Sequence, residues 1–382
     1  MRAQVLSAFN EPYVFQDALP TPNDIPKEDI LVRVLAASYC HTDTVYSTGV
    51  MPPATLPRVG CHEFAGEVVA HGTRVPPSLL QTLKVGTKVG VAVRSYHPCG
   101  QCLECLNSED DDVQGYSVIC PKAHRLGISI DGGFQDYVCV DARQVQVIPE
   151  PLTALETAPL MCAGLTIFAA LQRIQLECRQ RGRPCDKIAI VGAGGGLGHL
   201  GVQFAVKMGF SSIIATDATD GAMKVVQRVC DGFSTSEKEK LVVVDARTTD
   251  PAELLKSYFP HEDASLAIEN GVDAVIVLPE TQKAFDYSMK ILRRHGTCCI
   301  VSFPSGFQMD PNDLIFRDIK IVGSLIGTRK QMKEMMQLAA DTGVRAQIKS
   351  FALEDLNTLV DEYHKGNGGK LVIDMTLNNK NQ

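Results

Sequence analysis

Up to about Leu160 the apolar positions fall in short alternating runs, such as Ile30-Leu31-Val32-Arg33-Val34-Leu35-Ala36-Ala37-Ser38, Gly66-Glu67-Val68-Val69-Ala70 and Lys88-Val89-Gly90-Val91-Ala92-Val93. Proline and glycine separate them, as at Met51-Pro52-Pro53 and Asp131-Gly132-Gly133. A two-residue period bounded by turn formers predicts strands buried on one face, here in a barrel-like lobe. From Thr166 the period changes. Unbroken apolar runs at Lys187–Val191, Ser212–Thr216, Leu241–Val244, Asp273–Val277, Thr297–Val301 and Ile319–Val322 alternate with helically spaced segments. That alternation predicts a doubly wound parallel sheet, with Cys298 and Cys299 as core residues of one strand. After Gly327 come one helix, Lys330–Asp341, and a closing strand, Gly369–Asp374. The pattern divides the chain into a β-rich domain, 1–163, an α/β domain, 164–326, and a tail, 327–382, too short for a domain and expected to return to the first.

The first strand of the second domain runs into Gly192-Ala193-Gly194-Gly195-Gly196-Leu197-Gly198-His199, then the helical pattern Val202–Gly209, then a strand ending in Asp217. Strand, glycine turn, helix, strand and acid in that order are the fingerprint of a dinucleotide site. Residues without side chains let the backbone approach a pyrophosphate at a helix N-terminus carrying about half a positive charge. Asp217 would bond the adenosine ribose hydroxyls and repel a 2′-phosphate, favouring NAD over NADP; a plain strand-end turn is its simpler reading.

Thirteen cysteines, an odd number, favour reduced thiols and metal ligands over a disulfide framework. A net charge of −7 with no basic run argues against nucleic acid and anionic membranes. No apolar stretch is long enough to span a bilayer, and Met1–Leu6 lacks the pattern of a signal peptide, so a cytoplasmic protein is expected.

Two cysteine-bearing sets carry candidate chemistry. Cys99-Gly100-Gln101-Cys102-Leu103-Glu104-Cys105 brings three thiols around one loop, and Cys120 follows across an interval containing the acidic run Glu109–Asp112. Four sulfurs would close a structural zinc site, with Cys120 the least constrained ligand and buried thiols the simpler reading. The second set is Cys40, in Cys40-His41-Thr42-Asp43, His62, in Gly60-Cys61-His62-Glu63, and Cys162, in Met161-Cys162-Ala163-Gly164. Two thiolates and an imidazole make a three-ligand zinc site whose fourth position is left for water or substrate. Gly60 and Gly66 can also be read as ordinary tight-turn residues.

Over nearly its whole length this set of motifs resembles the zinc-containing alcohol dehydrogenases of the medium-chain dehydrogenase/reductase family, nearer their yeast and bacterial branch. The donor set is also the one alcohol dehydrogenases use. The resemblance implies a GroES-like catalytic domain and a Rossmann domain, two zinc ions per chain, NAD, a small alcohol or carbonyl substrate, and a homodimer or homotetramer paired through an edge strand near Ile300–Phe303. It also assigns roles. Cys40, His62 and Cys162 would hold the catalytic zinc, with Glu63 the carboxylate able to take the fourth position during exchange. Cys99, Cys102, Cys105 and Cys120 would hold the structural zinc. Asp43 would orient His62, and Thr42 would bond the alcohol oxygen and begin the proton relay. His41 would approach the cofactor phosphate and Thr166 the nicotinamide. The turn residues Gly192, Gly194, Gly195, Gly196, Leu197 and Gly198, with Asp217 and Lys370, would bind NAD.

Three positions depart from the family. Val45 stands where a histidine usually ends the relay, and valine accepts no proton. Lys370 stands where an arginine usually meets the pyrophosphate, and a lysine cannot make its bidentate contact. The Leu106–Ile119 insertion is long. Two other functions fit parts of the pattern: an NAD(P)H-dependent reductase of activated C=C bonds, disfavoured by the complete ligand set, and a non-catalytic nucleotide-binding scaffold, suggested by Val45.

Overall fold

The alternation around Ile30 becomes an 11-residue strand, Asp29–Tyr39, and Cys40 follows it directly, as His62 directly precedes the neighbouring strand Glu63–His71. A computed structural model of the chain describes residues 1–50, 55–108, 115–183, 185–259 and 270–377. The turn at Met51-Pro52-Pro53 and the acidic run Glu109–Asp112 lie outside the described residues.

The chain forms two compact units: Met1–Leu165 with Ile326–Lys365 and Lys370–Gln382, and Thr166–Leu325 with Gly366–Gly369. The short stretch Gly366–Gly369 belongs to the second unit.

The strands in chain order are β1 (Ala3–Leu6), β2 (Val14–Gln16), β3 (Asp29–Tyr39), β4 (Arg58–Val59), β5 (Glu63–His71), β6 (Lys88–Val91), β7 (Tyr137–Asp141) and β8 (Val145–Val147). There follow β9 (Lys187–Val191), β10 (Ser212–Asp217), β11 (Leu241–Asp245), β12 (Val272–Val277), β13 (Leu292–Ile300), β14 (Lys320–Gly323), β15 (Ile348–Phe351) and β16 (Lys370–Asp374).

In the first unit β2-β1-β4 form one sheet, and β15-β16-β3-β5-β6-β8 another in which β7 also pairs with β3. In the tail, β16 runs antiparallel to β3, with Leu371 opposite Tyr39 and Val372 opposite Ser38. The core under these sheets includes Val32, Val34, Phe64, Val89, Phe134 and Ile373.

The second unit is a six-stranded sheet in the order β11-β10-β9-β12-β13-β14, its pairings all parallel. Strand order reversing outward from β9 is the doubly wound pattern, and its switch point lies at the end of β9, where the glycine turn begins. One expectation is corrected. Ile300 ends an interior strand, paired with Val277 on one side and Gly323 on the other, so the edge on that side of the sheet is β14 and not Ile300–Phe303. Among the described residues no single helix is long and apolar enough to cross a membrane.

Candidate active site

β3 ends at Tyr39, and Cys40 is the N-cap of the helix His41–Ser47. Asp43 sits in that helix's first turn, where its Oδ2 accepts the Cys40 backbone N–H at 2.9 Å, as a carboxylate near a helix N-terminus should. Its Oδ1 lies 2.9 Å from His62 Nδ1. With Nδ1 engaged, Nε2 of the fully buried His62 ring has no hydrogen-bond partner.

His62 is aimed by its neighbour. Cys61 holds a left-handed backbone, φ 75°, an uncommon conformation for a residue with a side chain. The chain is clamped there: Gly133 N–H donates to Cys61 O at 2.9 Å, and a Cβ on Gly132 would stand 1.8 Å from that oxygen. The third residue, Cys162, follows the 3-10 turn Ala158–Met161 and directly precedes the long helix Ala163–Gln180.

The ligand atoms of Cys40, His62 and Cys162 lie within 4.8 Å of one another. A buried imidazole nitrogen without a partner, beside two buried thiols, is a donor set that suits Zn2+. The thiols perturb one another: the Cys162 hydrogen bond holds the Cys40 thiol well below the usual range, and Cys162 is pushed up in return. Thr42 Oγ1 is 3.8 Å from Cys40 Sγ, which puts a hydroxyl at the cluster. His41, at the exposed start of the helix, has its Nδ1 2.9 Å from the Tyr363 hydroxyl.

Glu63, the first residue of β5, is fully buried beside the cluster. Its Oε1 accepts the Ser38 hydroxyl at 2.7 Å and the Lys370 ammonium. Its Oε2 accepts Ala163 N–H at 3.2 Å. Burial pushes its carboxyl up to about 7 against the pull of Lys370. Lys370 was expected on the cofactor pyrophosphate. Instead it is buried at 4% exposure, and its ammonium is turned to Glu63 and to Tyr39 O, at 2.9 Å. Val45 lies in the helix His41–Ser47, one turn beyond His41.

Cys99, Cys102, Cys105 and Cys120 form the second group, their sulfurs also within 4.8 Å of one another. Cys99 N–H donates to Cys120 Sγ at 3.4 Å, and Cys102 caps the short helix Leu103–Leu106. The Gln101 backbone N–H holds the Cys99 thiol down at about 6, while burial pushes Cys105 up to about 12. Four convergent sulfurs fit a closed zinc site. Among the described residues these two groups are the ones with metal-ligand geometry.

In the second unit Gly192 takes φ 88°, and the helix Gly198–Lys207 starts at the last glycine of the turn. A Cβ on Gly194 would stand 2.1 Å from Ala222 O, and one on Gly198 2.1 Å from Gly192 O, so only glycine fits this cradle. Asp217 ends β10; its Oδ2 accepts Gly194 N–H at 2.9 Å and its Oδ1 Ala218 N–H at 2.7 Å. Thr166 lies in the first turn of Ala163–Gln180, 8% exposed.

The sequence reading missed Ser38, Tyr39 and Tyr363 as neighbours of the site. Ser38 comes to the site because it opposes Glu63 in the β3–β5 register, which the sequence pattern does not specify. Tyr363 comes from a distant helix, Leu356–His364, and had no signal.

Residues 26–150 match the model of the alcohol dehydrogenase GroES-like domain, and residues 196–341 that of the zinc-binding dehydrogenases. An alcohol dehydrogenase of Moraxella sp. (strain TAE123) is 31% identical over 99% of this chain and 100% of its own length. Alcohol dehydrogenase 1 of Neurospora crassa is 31% identical over 97% of this chain and 96% of its own. Among solved structures, the alcohol dehydrogenase of the archaeon Aeropyrum pernix superposes with a TM-score of 0.78 at 26% identity, covering 98% of this chain and 100% of that one.

Proposed function

The chain belongs to the zinc-containing alcohol dehydrogenase family, and from that premise we propose that it transfers a hydride between NAD(H) and an alcohol or the corresponding aldehyde or ketone. The observation that carries this is the buried group Cys40, His62 and Cys162 with the Thr42 hydroxyl beside it. Zinc bound by three protein ligands supplies a Lewis acid that lowers the pKa of a hydroxyl or polarises a carbonyl.

The chain's own residues do the rest. Asp43 fixes the His62 tautomer, so that Nε2 is the ligand nitrogen. The Thr42 hydroxyl accepts the proton of the bound alcohol and passes it outward. Gly192, Gly194, Gly195, Gly196, Leu197 and Gly198 present backbone to the cofactor pyrophosphate.

NAD over NADP follows from charge. Asp217 ends β10, and Asp245, opposite it in β11, pairs with Arg247 at 2.7 Å, as does Asp220. Three carboxylates against one guanidinium repel a 2′-phosphate. A cytoplasmic location accords with thirteen free cysteines. A homodimer or homotetramer accords with Ile315, Phe316 and Leu325, exposed by 67%, 70% and 51% around the edge strand β14.

The deciding experiment is metal analysis with a screen of primary, secondary, allylic and aromatic alcohols, read as NADH formation. Two zinc ions per chain and turnover of at least one alcohol class are expected. Cys162→Ser should abolish turnover while NAD binding and the second zinc persist. Zinc-free protein that reduces activated C=C bonds would favour the reductase, and cofactor binding without any turnover would favour the scaffold.

A further inference from the structure

Two cysteines outside both metal groups meet at the far end of the helix that begins beside Cys162. Cys178 is in the last turn of Ala163–Gln180, and Cys185 stands two residues before β9. The chain reverses between them: Arg181 and Arg183 each donate a backbone N–H to Cys178 O at 3.1 Å, and Gly182 takes φ 65°. A helical side chain lies over the turn that precedes it. The Cys185 thiol reaches that same turn, donating to Ile174 O at 3.7 Å, and it is in hydrogen-bond contact with the Cys178 sulfur.

Both ends of the reversal are clamped. Asp273 Oδ2 accepts the Asp186 and Lys187 N–H groups, each at 2.8 Å, which fixes the chain just after Cys185. Arg181 Nη1 donates to His295 O at 3.1 Å and to Asp318 O at 2.9 Å, which fixes the turn just after Cys178. The surrounding backbone therefore holds the two sulfurs together. Their hydrogen bond keeps the Cys178 thiol below its usual range against burial and the Asp273 charge, with Arg293 and Arg181 adding to the pull. Cys185 is pushed up in return. One sulfur is the readier thiolate and the other keeps its proton, the division that a stepwise oxidation needs. Cys178 is 5% exposed and Cys185 half-buried, at a turn where a Cβ on Gly182 would meet nothing. Cys298 and Cys299 differ: they are adjacent in β13 and fully buried, so their side chains point to opposite faces of the sheet.

We propose that Cys178 and Cys185 form a redox dithiol, oxidised by hydroperoxides to an intramolecular disulfide and restored by thiol reductants. The Cys178 thiolate attacks a peroxide oxygen. The O–O bond breaks, and the leaving oxygen takes up a proton and departs as water or an alcohol. The Cys185 sulfur then attacks the Cys178 sulfenic acid; the S–S bond forms, the S–O bond breaks, and the hydroxyl leaves as water with the Cys185 proton. The two thiols give up the two electrons that the peroxide gains. A dithiol reductant reverses the change and is itself left as a disulfide.

The test is peptide mapping of the zinc-loaded protein after limited hydrogen peroxide, with alkylation by N-ethylmaleimide in denaturant and digestion by trypsin. Arg179 and Arg181 lie between the cysteines, so digestion cuts the chain there and a disulfide is what keeps Ile174–Arg179 joined to Gly182–Lys187. The joined pair, two hydrogens lighter than its separate peptides, is expected before the Cys139, Cys230, Cys298 and Cys299 peptides lose their alkylation. Dithiothreitol added ahead of the alkylation should abolish it. In Cys185→Ser the joined pair should be lost and Cys178 should stop at the sulfenic acid, trapped by dimedone. Absence of the joined pair at peroxide levels that oxidise the other four thiols would overturn the proposal. So would Cys178 passing to the sulfinic acid while Cys185 is still alkylated. The wild-type map decides alone should Cys185→Ser fail to fold.

Discussion

Asp43 joins the two halves of the candidate metal site: one carboxylate oxygen lies 2.9 Å from His62 Nδ1 and the other 2.9 Å from the backbone nitrogen of Cys40. A single buried side chain thus orients one ligand and starts the helix that presents another. Asp43→Ala should lose both. Partners of this kind cost about 10–100-fold in metal affinity when removed. Dialysis against graded chelator, followed by zinc analysis, should show the catalytic zinc leaving at correspondingly lower chelator concentration. Retention equal to wild type would mean that His62 is held by packing alone.

Asp217 offers a test in the second unit. It caps the glycine turn through Gly194 N–H and stands beside the Asp245–Arg247–Asp220 cluster. Asp217→Ala should raise the NADP:NAD ratio of kcat/KM by about tenfold or more, the equivalent of ~1.4 kcal/mol. An unchanged ratio would assign discrimination to the neighbouring acids.

These two residues also mark what the sequence made legible. Asp217 was readable because strand, turn, helix and acid are contiguous, and each step is dictated by local sterics or hydrogen bonding. Asp43 and His62 were readable from short motifs at the ends of neighbouring strands. Lys370 was placed on the right strand, but its partner depended on pairing with β3, more than three hundred residues away in the chain. No local period encodes that register. The edge strand was misjudged for a related reason. Thr297–Val301 reads like any buried strand, and only the pairing of Lys320–Gly323 against it shows that it is interior.

A carboxylate away from both metal groups fixes a pH dependence. Glu177, 3% exposed, is bonded by the Lys320 ammonium and lies 2.9 Å from Arg173. The Lys320 hydrogen bond holds its carboxyl below the ordinary 4.5. A depressed carboxylate contributes stability that is fully present above its unfolded-state value and is lost as pH falls through the folded one. Glu177→Gln should therefore cost about 1–2 kcal/mol at neutral pH, discounted because both cations are partly exposed. In urea titrations that gap should close as the pH drops below 4.5. A gap that stays constant into acid would mean that packing, and not charge, is what the glutamate supplies.

The remaining test concerns the proton. In the proposed relay Thr42 takes it from the alcohol, but Val45, one helical turn beyond His41, cannot receive it. Residues four apart share a helix face, so an imidazole at 45 would stand beside the exposed His41. Valine and histidine have similar helix propensities, and Val45 is only partly buried, so the fold should tolerate the change. A positioned general base contributes about 10²–10⁴-fold when proton transfer limits the rate. Val45→His should then raise kcat near neutral pH by about tenfold or more, with a new inflection in the pH–rate profile between about pH 6 and 7. If the profile is unchanged while NAD binding is intact, proton release is not limiting and the chain has another exit. The His41–Tyr363 pair, 2.9 Å apart, is the place to look for it, through the solvent isotope effect on Tyr363→Phe.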